Sequence, residues 1–142
     1  DLDAVGIVPL PRRPIPIWIG GQADAALRRV AALGEGWMPM IGPEEARRDG
    51  FVSRLRAYAR EQGRDPASIG IDPILSLASG DPVPDGTAAM RTTEAWMGDL
   101  EAWQALGATH LSVNTMGAGL SVQQHLEALQ RFKDVVDAAV QL

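Results

Sequence analysis

The stretch at residues 14–40, PIPIWIGGQADAALRRVAALGEGWMPM, decides the fold. Ile15, Ile17 and Ile19 alternate with Pro16, Trp18 and Gly20, two glycines follow, a helix starts near Ala23, and a second apolar strand, GWMPM, comes after it. A period of 2 that changes at once to a period of 3.6 predicts a strand, a tight turn, a helix and a further strand. Gly34 is expected to close the helix as a left-handed cap. The turn has two readings. It is a plain strand-to-helix connection, or the turn Gly20, Gly21 and Gln22 is an anion site, with the N–H groups of Gly21, Gln22 and Ala23 as unpaired helix-terminal donors to a group such as a phosphate. Asp24 counts against the second reading, because a carboxylate in the first helical turn repels a phosphate unless it points away.

The same pattern occurs four times, in units that begin near Ile15, Trp37, Ile71 and His110. The second helix starts at Pro43, whose fixed φ suits a first helical position, with Glu44 and Glu45 at the positive end of the dipole. Phe51, Val52, Leu55, Tyr58 and Ala59 mark its apolar face and Gly63 ends it. The third strand, IDPILSLAS, runs into GDPVPDGTAAMRTT at residues 80–93. This long loop, rich in Gly, Pro and Asp, is expected to be a mobile substrate lid. Trp96, Leu100, Trp103 and Leu106 define the third helix, which stops at Gly107 before the strand THLSVNTM. Ser121 with Gln124 forms a capping box, and Val122, Leu126, Leu129, Phe132, Val136 and Val140 are expected to bury one face of the last helix.

Repeated strand and helix units imply an α/β fold with a parallel sheet and right-handed crossovers. In an open sheet with both faces covered, central strands read as continuous apolar runs. The fourth strand alternates instead, Leu111 and Val113 against His110, Ser112, Asn114 and Met116. One face packs on helices and the other looks into something more polar, which favours a barrel with its helices on the outside.

The totals bound the function. At 142 residues the chain suits a single domain, 1–142, with 1–14 as a linker-like lead-in. It begins at Asp1 without Met, which predicts a fragment or processed product. The net charge of −5, without a basic stripe, argues against a nucleic-acid partner. The absence of cysteine removes disulfides and thiolate chemistry and fits a cytoplasmic protein. No apolar run approaches the roughly 20 residues needed to span a bilayer, so no membrane partner is expected.

No acid pair, metal-ligand spacing, nucleophile elbow or P-loop stands out, so neither a metal site nor catalytic residues are assigned. His110 could be a general base or hydrogen bonder inside a barrel, but it starts its strand, at the end remote from the active face, where residues serve stability, and the structural reading is favoured. His125 is expected on a helix, in water. Trp96 and Trp103 are expected to be core, and Trp18 to face inward. Asn114 and Met116, and Met38 and Met40 if Trp37 and Pro39 face the helices, would reach a ligand at the mouth.

The segments RRPIPIWIGGQADAALRRVAALGEGWMPM and LEAWQALGATHLSVNT resemble the C-terminal half of the bacterial luciferase-like monooxygenase superfamily, particularly its F420-dependent oxidoreductases. The resemblance implies a TIM-type (β/α)8 barrel, of which this chain is the parallel (β/α)4 half with strands five to eight. It implies coenzyme F420, or alternatively FMN, bound at the carboxyl end. Gly20, Gly21 and Gln22 would then hold the phosphate, and Met38 and Met40 would approach the ring. The reaction implied is hydride transfer to or from a small organic molecule, with FMN-dependent monooxygenation as the alternative. Glu35 stands where the family often has Asp. The first four strands are missing, so the half is expected to pair with the missing N-terminal half or with a second copy, or to be a non-catalytic half-barrel that dimerises.

Overall fold

The structure is a computed structural model that describes the backbone at residue 6 and residues 10–82, 88–116 and 119–140, and the side chains of these except at 79–82, 88, 89, 139 and 140. The elements in chain order begin with strand β1 (Trp18–Gly20), helix α1 (Asp24–Leu33), strand β2 (Gly36–Met38) and helices α2 (Pro43–Arg48) and α3 (Phe51–Glu61). A 3₁₀ turn (Pro66–Ser68) leads to strands β3 (Gly70–Ile71) and β4 (Ile74–Ser76). The antiparallel strands β5 (Ala78–Pro82) and β6 (Ala88–Met90) follow, then helix α4 (Thr93–Leu106), strand β7 (Ser112–Asn114) and helix α5 (Val122–Val140).

Strands β1, β2 and β3 pair parallel in chain order, Trp18 opposite Gly36 and Gly36 opposite Gly70. Strand β4 pairs parallel with β7, Ile74 opposite Ser112. Strands β3 and β4 are two parts of one extended segment. Thr109 N–H and Ser112 N–H donate to the carbonyls of Ile71 and Pro73, so the fourth strand runs beside both parts. Pro73 has no N–H to return, and the ladder is interrupted there. The result is a parallel α/β fold with strand segments adjacent in the order of the sequence.

All helices lie on one face of these strands. Ile19, Trp37 and Ile71 pack against Leu27, Val30, Ala46, Val52, Leu55 and Trp103. Farther along, Leu75, Leu77 and Val113 meet Trp96, Ala128 and Phe132, with the Trp96 and Phe132 rings edge to face at 5.9 Å. The alternation places Trp18, Gly20, Gly36, Met38, Gly70, Asp72, Ile74, Ser76, Ser112 and Asn114 on the other face. Among the described residues no helix covers that face. Burying each large apolar side chain on the covered face contributes roughly 1.5–3 kcal/mol, and this sets which face of each strand turns inward to the helices.

Several expectations are corrected. Gly34 is extended, with φ −87° and ψ 146°, so α1 does not end in a left-handed cap. Gly107 does form such a cap, with φ +91°. The single helix expected from Pro43 to Gly63 is broken at Asp49 and Gly50, where Gly50 adopts φ +63°. Residues 80–93 are not a uniform loop: Ala78 pairs with Met90 and Pro82 with Ala88 in an antiparallel ribbon, while 83–87 lie outside the described residues. Helix α5 buries Ala128 and Phe132, but Val122, Leu126 and Leu129 are exposed. The capping box is present, with Ser121 N–H donating to Gln124 Oε1 at 2.8 Å.

Candidate functional site

At the carboxyl end of β1, Gly21 takes φ +105°, a conformation that L side chains rarely adopt. Its carbonyl accepts a hydrogen bond from Trp37 Nε1 at 2.8 Å, which ties the turn to the buried core. Ala23 is the N-cap of α1 and makes no side-chain cap. The Gly20–Met38 register, with Pro39 unable to donate, turns the Gly21 N–H to the Met38 carbonyl, and among the described residues the N–H groups of Gln22 and Ala23 have no hydrogen-bond partner. Gly20 is exposed on the helix-free face, and a Cβ there would meet only the Met38 carbonyl, at 3.6 Å.

Asp24 is drawn away from this turn. Its Oδ1 accepts from the Tyr58 hydroxyl, its Oδ2 accepts from Arg28 Nε at 3.0 Å, and Arg54 lies at 3.6 Å. The Tyr58 hydrogen bond, helped by Arg28 and Arg54, holds the carboxyl below its ordinary range, and the same bond raises the Tyr58 hydroxyl. The negative charge at the start of α1 is therefore matched on its flank. The arrangement of two free N–H donors beside a side-chain-free position suits an oxyanion.

Met38 ends β2 on the same face as Gly20, opposite it in register, and is half-buried. Met40 lies beyond the strand and is 74% exposed. Trp37 faces the helices as expected, and Pro39 is fully buried. Met40 joins Ile74, Ser76, Arg91, Asp99 and Asn114 around a cleft of about 420 Å³ at the carboxyl ends of β2, β4 and β7. Arg91 Nη1 and Asp99 Oδ2 pair at 2.7 Å, and Arg91 also donates to the carbonyls of Ser76 and Ala95. Another cleft, of about 440 Å³ beside Arg56, Arg60 and Thr109, lies toward the opposite ends of the strands, away from the loops that carry sites in such folds.

Sequence reasoning did not single out Arg91, Asp99 or Asp72. Arg91 and Asp99 lie eight residues apart, one before α4 and one within it, so their pairing needs the helix to be in place. Asp72 accepts from the Ser112 hydroxyl at 3.0 Å across 40 residues, and its Oδ1 is buried without a partner. The alternation of β3 and β4 was the signal that could have found Asp72. His110 sits edge to face with Trp18, ring centroids 4.9 Å apart, and its Nδ1 lies 2.9 Å from Thr109 Oγ1. His125 is half-buried rather than in water, with Nδ1 at 2.7 Å from Thr115 Oγ1. No group of three His, Cys, Asp or Glu able to hold a metal occurs among the described residues. No described helix is long and apolar enough to cross a membrane.

A sequence profile described as luciferase-like monooxygenase matches residues 2–141, and the chain belongs to that family. Uncharacterized proteins of Mycobacterium bovis and Mycobacterium tuberculosis are 43% identical over 65 residues, 45% of this chain and 22% of theirs. The coenzyme F420-dependent tetrahydromethanopterin reductase of Methanopyrus kandleri has a similar fold, with TM-score 0.58 and 13% identity over 81% of this chain and 49% of that one. An F420-dependent secondary alcohol dehydrogenase in complex with an F420-acetone adduct gives TM-score 0.47 and 14% identity over 94% of this chain and 44% of its own. The chain thus matches less than half the length of each of these proteins.

Proposed function

We propose that this chain is the strand-five-to-eight half of a (β/α)8 barrel, in an oxidoreductase that moves hydride between coenzyme F420 and a small organic substrate. The observation that carries the reading is the turn after β1, with the unpaired N–H groups of Gln22 and Ala23, no side chain at Gly20, and Asp24 turned toward Tyr58 and Arg28. The cofactor choice is supported by the F420 dependence of the reductase that shares the fold. When bound, the deazaflavin supplies the hydride chemistry, and the protein supplies binding and orientation. Gly20, Gly21 and Gln22 would hold the phosphate, Met38 and Met40 would line the path to the ring, and the cleft beside Arg91 and Asn114 would take the reacting portion. Trp37 keeps the turn in place from the core side. No acid or base is assigned. FMN in a luciferase-like monooxygenase is the alternative cofactor for the same turn.

The Gly20→Asp variant tests the phosphate role in the intact protein. Position 20 has an ordinary φ and room for a side chain, so the fold should persist while a carboxylate faces the N–H cluster. Titration with F420 and with FMN should show binding of one of them by the parent protein and a loss of at least about tenfold in the variant. Unchanged affinity would remove the turn from the cofactor site. Oxygen-dependent turnover on FMN would replace the F420 reading.

A second reading, a non-catalytic half-barrel that dimerises, is favoured by the two rims. The outer edges of β1 and β7 have no partner strand among the described residues. Ile17 and Leu33 are exposed near one rim, and Val122, Leu126 and Leu129 on the last helix near the other. Such surface calls for a neighbour. In the enzyme reading that neighbour is the other half of the barrel, and in this one it is a second copy. Intact mass and sedimentation of the undigested protein separate the two. A species near 15.2 kDa in monomer mass that sediments as a dimer favours the second reading. A longer monomer favours the first. We place the protein in the cytoplasm, with no nucleic acid or membrane among its partners.

A further inference from the structure

We propose that Asn114 recognises a carbonyl oxygen on the ring of the cofactor, through an amide whose direction is set before the ligand arrives. The inference rests on the cofactor reading above and adds to it the residue that reads the ring.

Asn114 ends β7 on the helix-free face and lines the cleft with Met40, Ile74 and Ser76. Its Oδ1 accepts the backbone N–H of Met116 at 2.8 Å. Only an oxygen can satisfy that N–H, so the chemistry of the contact assigns the two ends of the amide, and the NH₂ group takes the other position. Among the described residues Nδ2 has no partner, and the residue is half-buried. The hydroxyl of Ser76 donates to the Ala78 carbonyl, and Arg91 is engaged by Asp99 and two carbonyls. These neighbours are committed, whereas the Asn114 NH₂ is not. A donor already aimed into the cleft needs no reorientation to meet an acceptor.

The charge around the cleft narrows the class of acceptor. Glu45 and Asp99 contribute two carboxylates against the single guanidinium of Arg91, which is already paired with Asp99. An anionic ligand group would be repelled there, so the acceptor that fits is neutral. Ile74, Leu75, Ile41 and Trp103 give the cleft apolar walls suited to a flat ring. Both deazaflavin and flavin rings carry neutral carbonyl oxygens at one edge. A substrate carbonyl has the same chemistry, and titration with cofactor alone distinguishes the two sources.

Asn114→Asp is the decisive variant. A carboxylate oxygen still accepts the Met116 N–H and preserves the turn, while the donor becomes an acceptor. Titration of the intact protein with F420 alone, followed by its fluorescence and repeated with FMN, should show the dissociation constant rising at least about tenfold. The thermal midpoint should stay within about 2 °C. Asn114→Ser, whose hydroxyl also accepts the Met116 N–H, serves if the aspartate variant does not fold, and should weaken binding in the same direction. Unchanged cofactor affinity in the folded variant overturns the inference, whatever happens to turnover. A parent protein that binds neither F420 nor FMN overturns the cofactor reading and the inference together.

Discussion

Trp18 lies flat across Gly36: its indole occupies the space in which a Cβ at position 36 would stand, and its far edge does the same at Gly70. Neighbouring strands bring these positions side by side, and two glycines leave a shelf wide enough for one indole. His110 closes the far side of the ring. Gly36→Ala should therefore force the indole off its shelf. A loss of about 1–3 kcal/mol is expected, as for an overpacked core, read as a lower thermal or urea midpoint. An unchanged midpoint would mean that the indole does not rest there.

Trp37 joins the core to the turn after β1. It is fully buried, stacks near Phe51, and spends its indole N–H on the Gly21 carbonyl. Trp37→Phe keeps most of the apolar volume and leaves that carbonyl without its donor. Stability should fall by about 1–3 kcal/mol, and affinity for the cofactor phosphate proposed to sit at the turn should fall with it. Loss of stability without any change in affinity would separate the turn from ligand binding.

The contact between Tyr58 and Asp24 makes one part of stability depend on pH. The carboxyl of Asp24 is lowered in the folded protein, so its contribution is present above the unfolded carboxyl value and lost as pH falls through the folded one. The hydroxyl of Tyr58 is raised, so its contribution is present below the unfolded value and lost as pH rises through the folded one. Tyr58→Phe should be less stable than the parent at neutral pH, with the gap closing at both extremes. Urea midpoints at pH 3, 7 and 11 would show this, and a gap constant across pH would refute it.

Leu126 and Leu129 should matter to association more than to folding. Both are exposed on α5, and surface changes of this kind usually shift stability by less than about 0.5 kcal/mol. Leu126→Glu with Leu129→Glu should leave the secondary structure unchanged while weakening whatever pairing covers the rim, as read by sedimentation. Unaltered association would place the interface elsewhere.

Much of this fold is legible in the chain because local periodicity and the covered face of a sheet follow the same rule. Val52, Leu55 and Ala59 repeat at helical spacing, and they are buried. Leu111 and Val113 alternate with Ser112 and Asn114, and only the former meet the helices. Ser121 and Gln124 cap α5 because their bonds span three residues. The break at Gly50, the extended Gly34 and the ribbon after β4 were not legible. Each depends on what packs against the segment, and a window of ten residues carries no record of that.

The candidate site divides in the same way. The glycines at 20 and 21, the helix that follows them and the methionines at 38 and 40 are local features, and the order of residues alone determined them. Three things belonged to the tertiary structure: the engagement of Asp24 by Tyr58, the support of Gly21 by Trp37, and the meeting of Arg91, Asp99 and Asn114 around one cleft. Tyr58 and Asp24 are 34 residues apart, and Asn114 ends β7 whereas Met40 follows β2. Periodicity tells which way a side chain points from its own backbone. Only the packing of helices on one face of the sheet decides which distant side chain it meets.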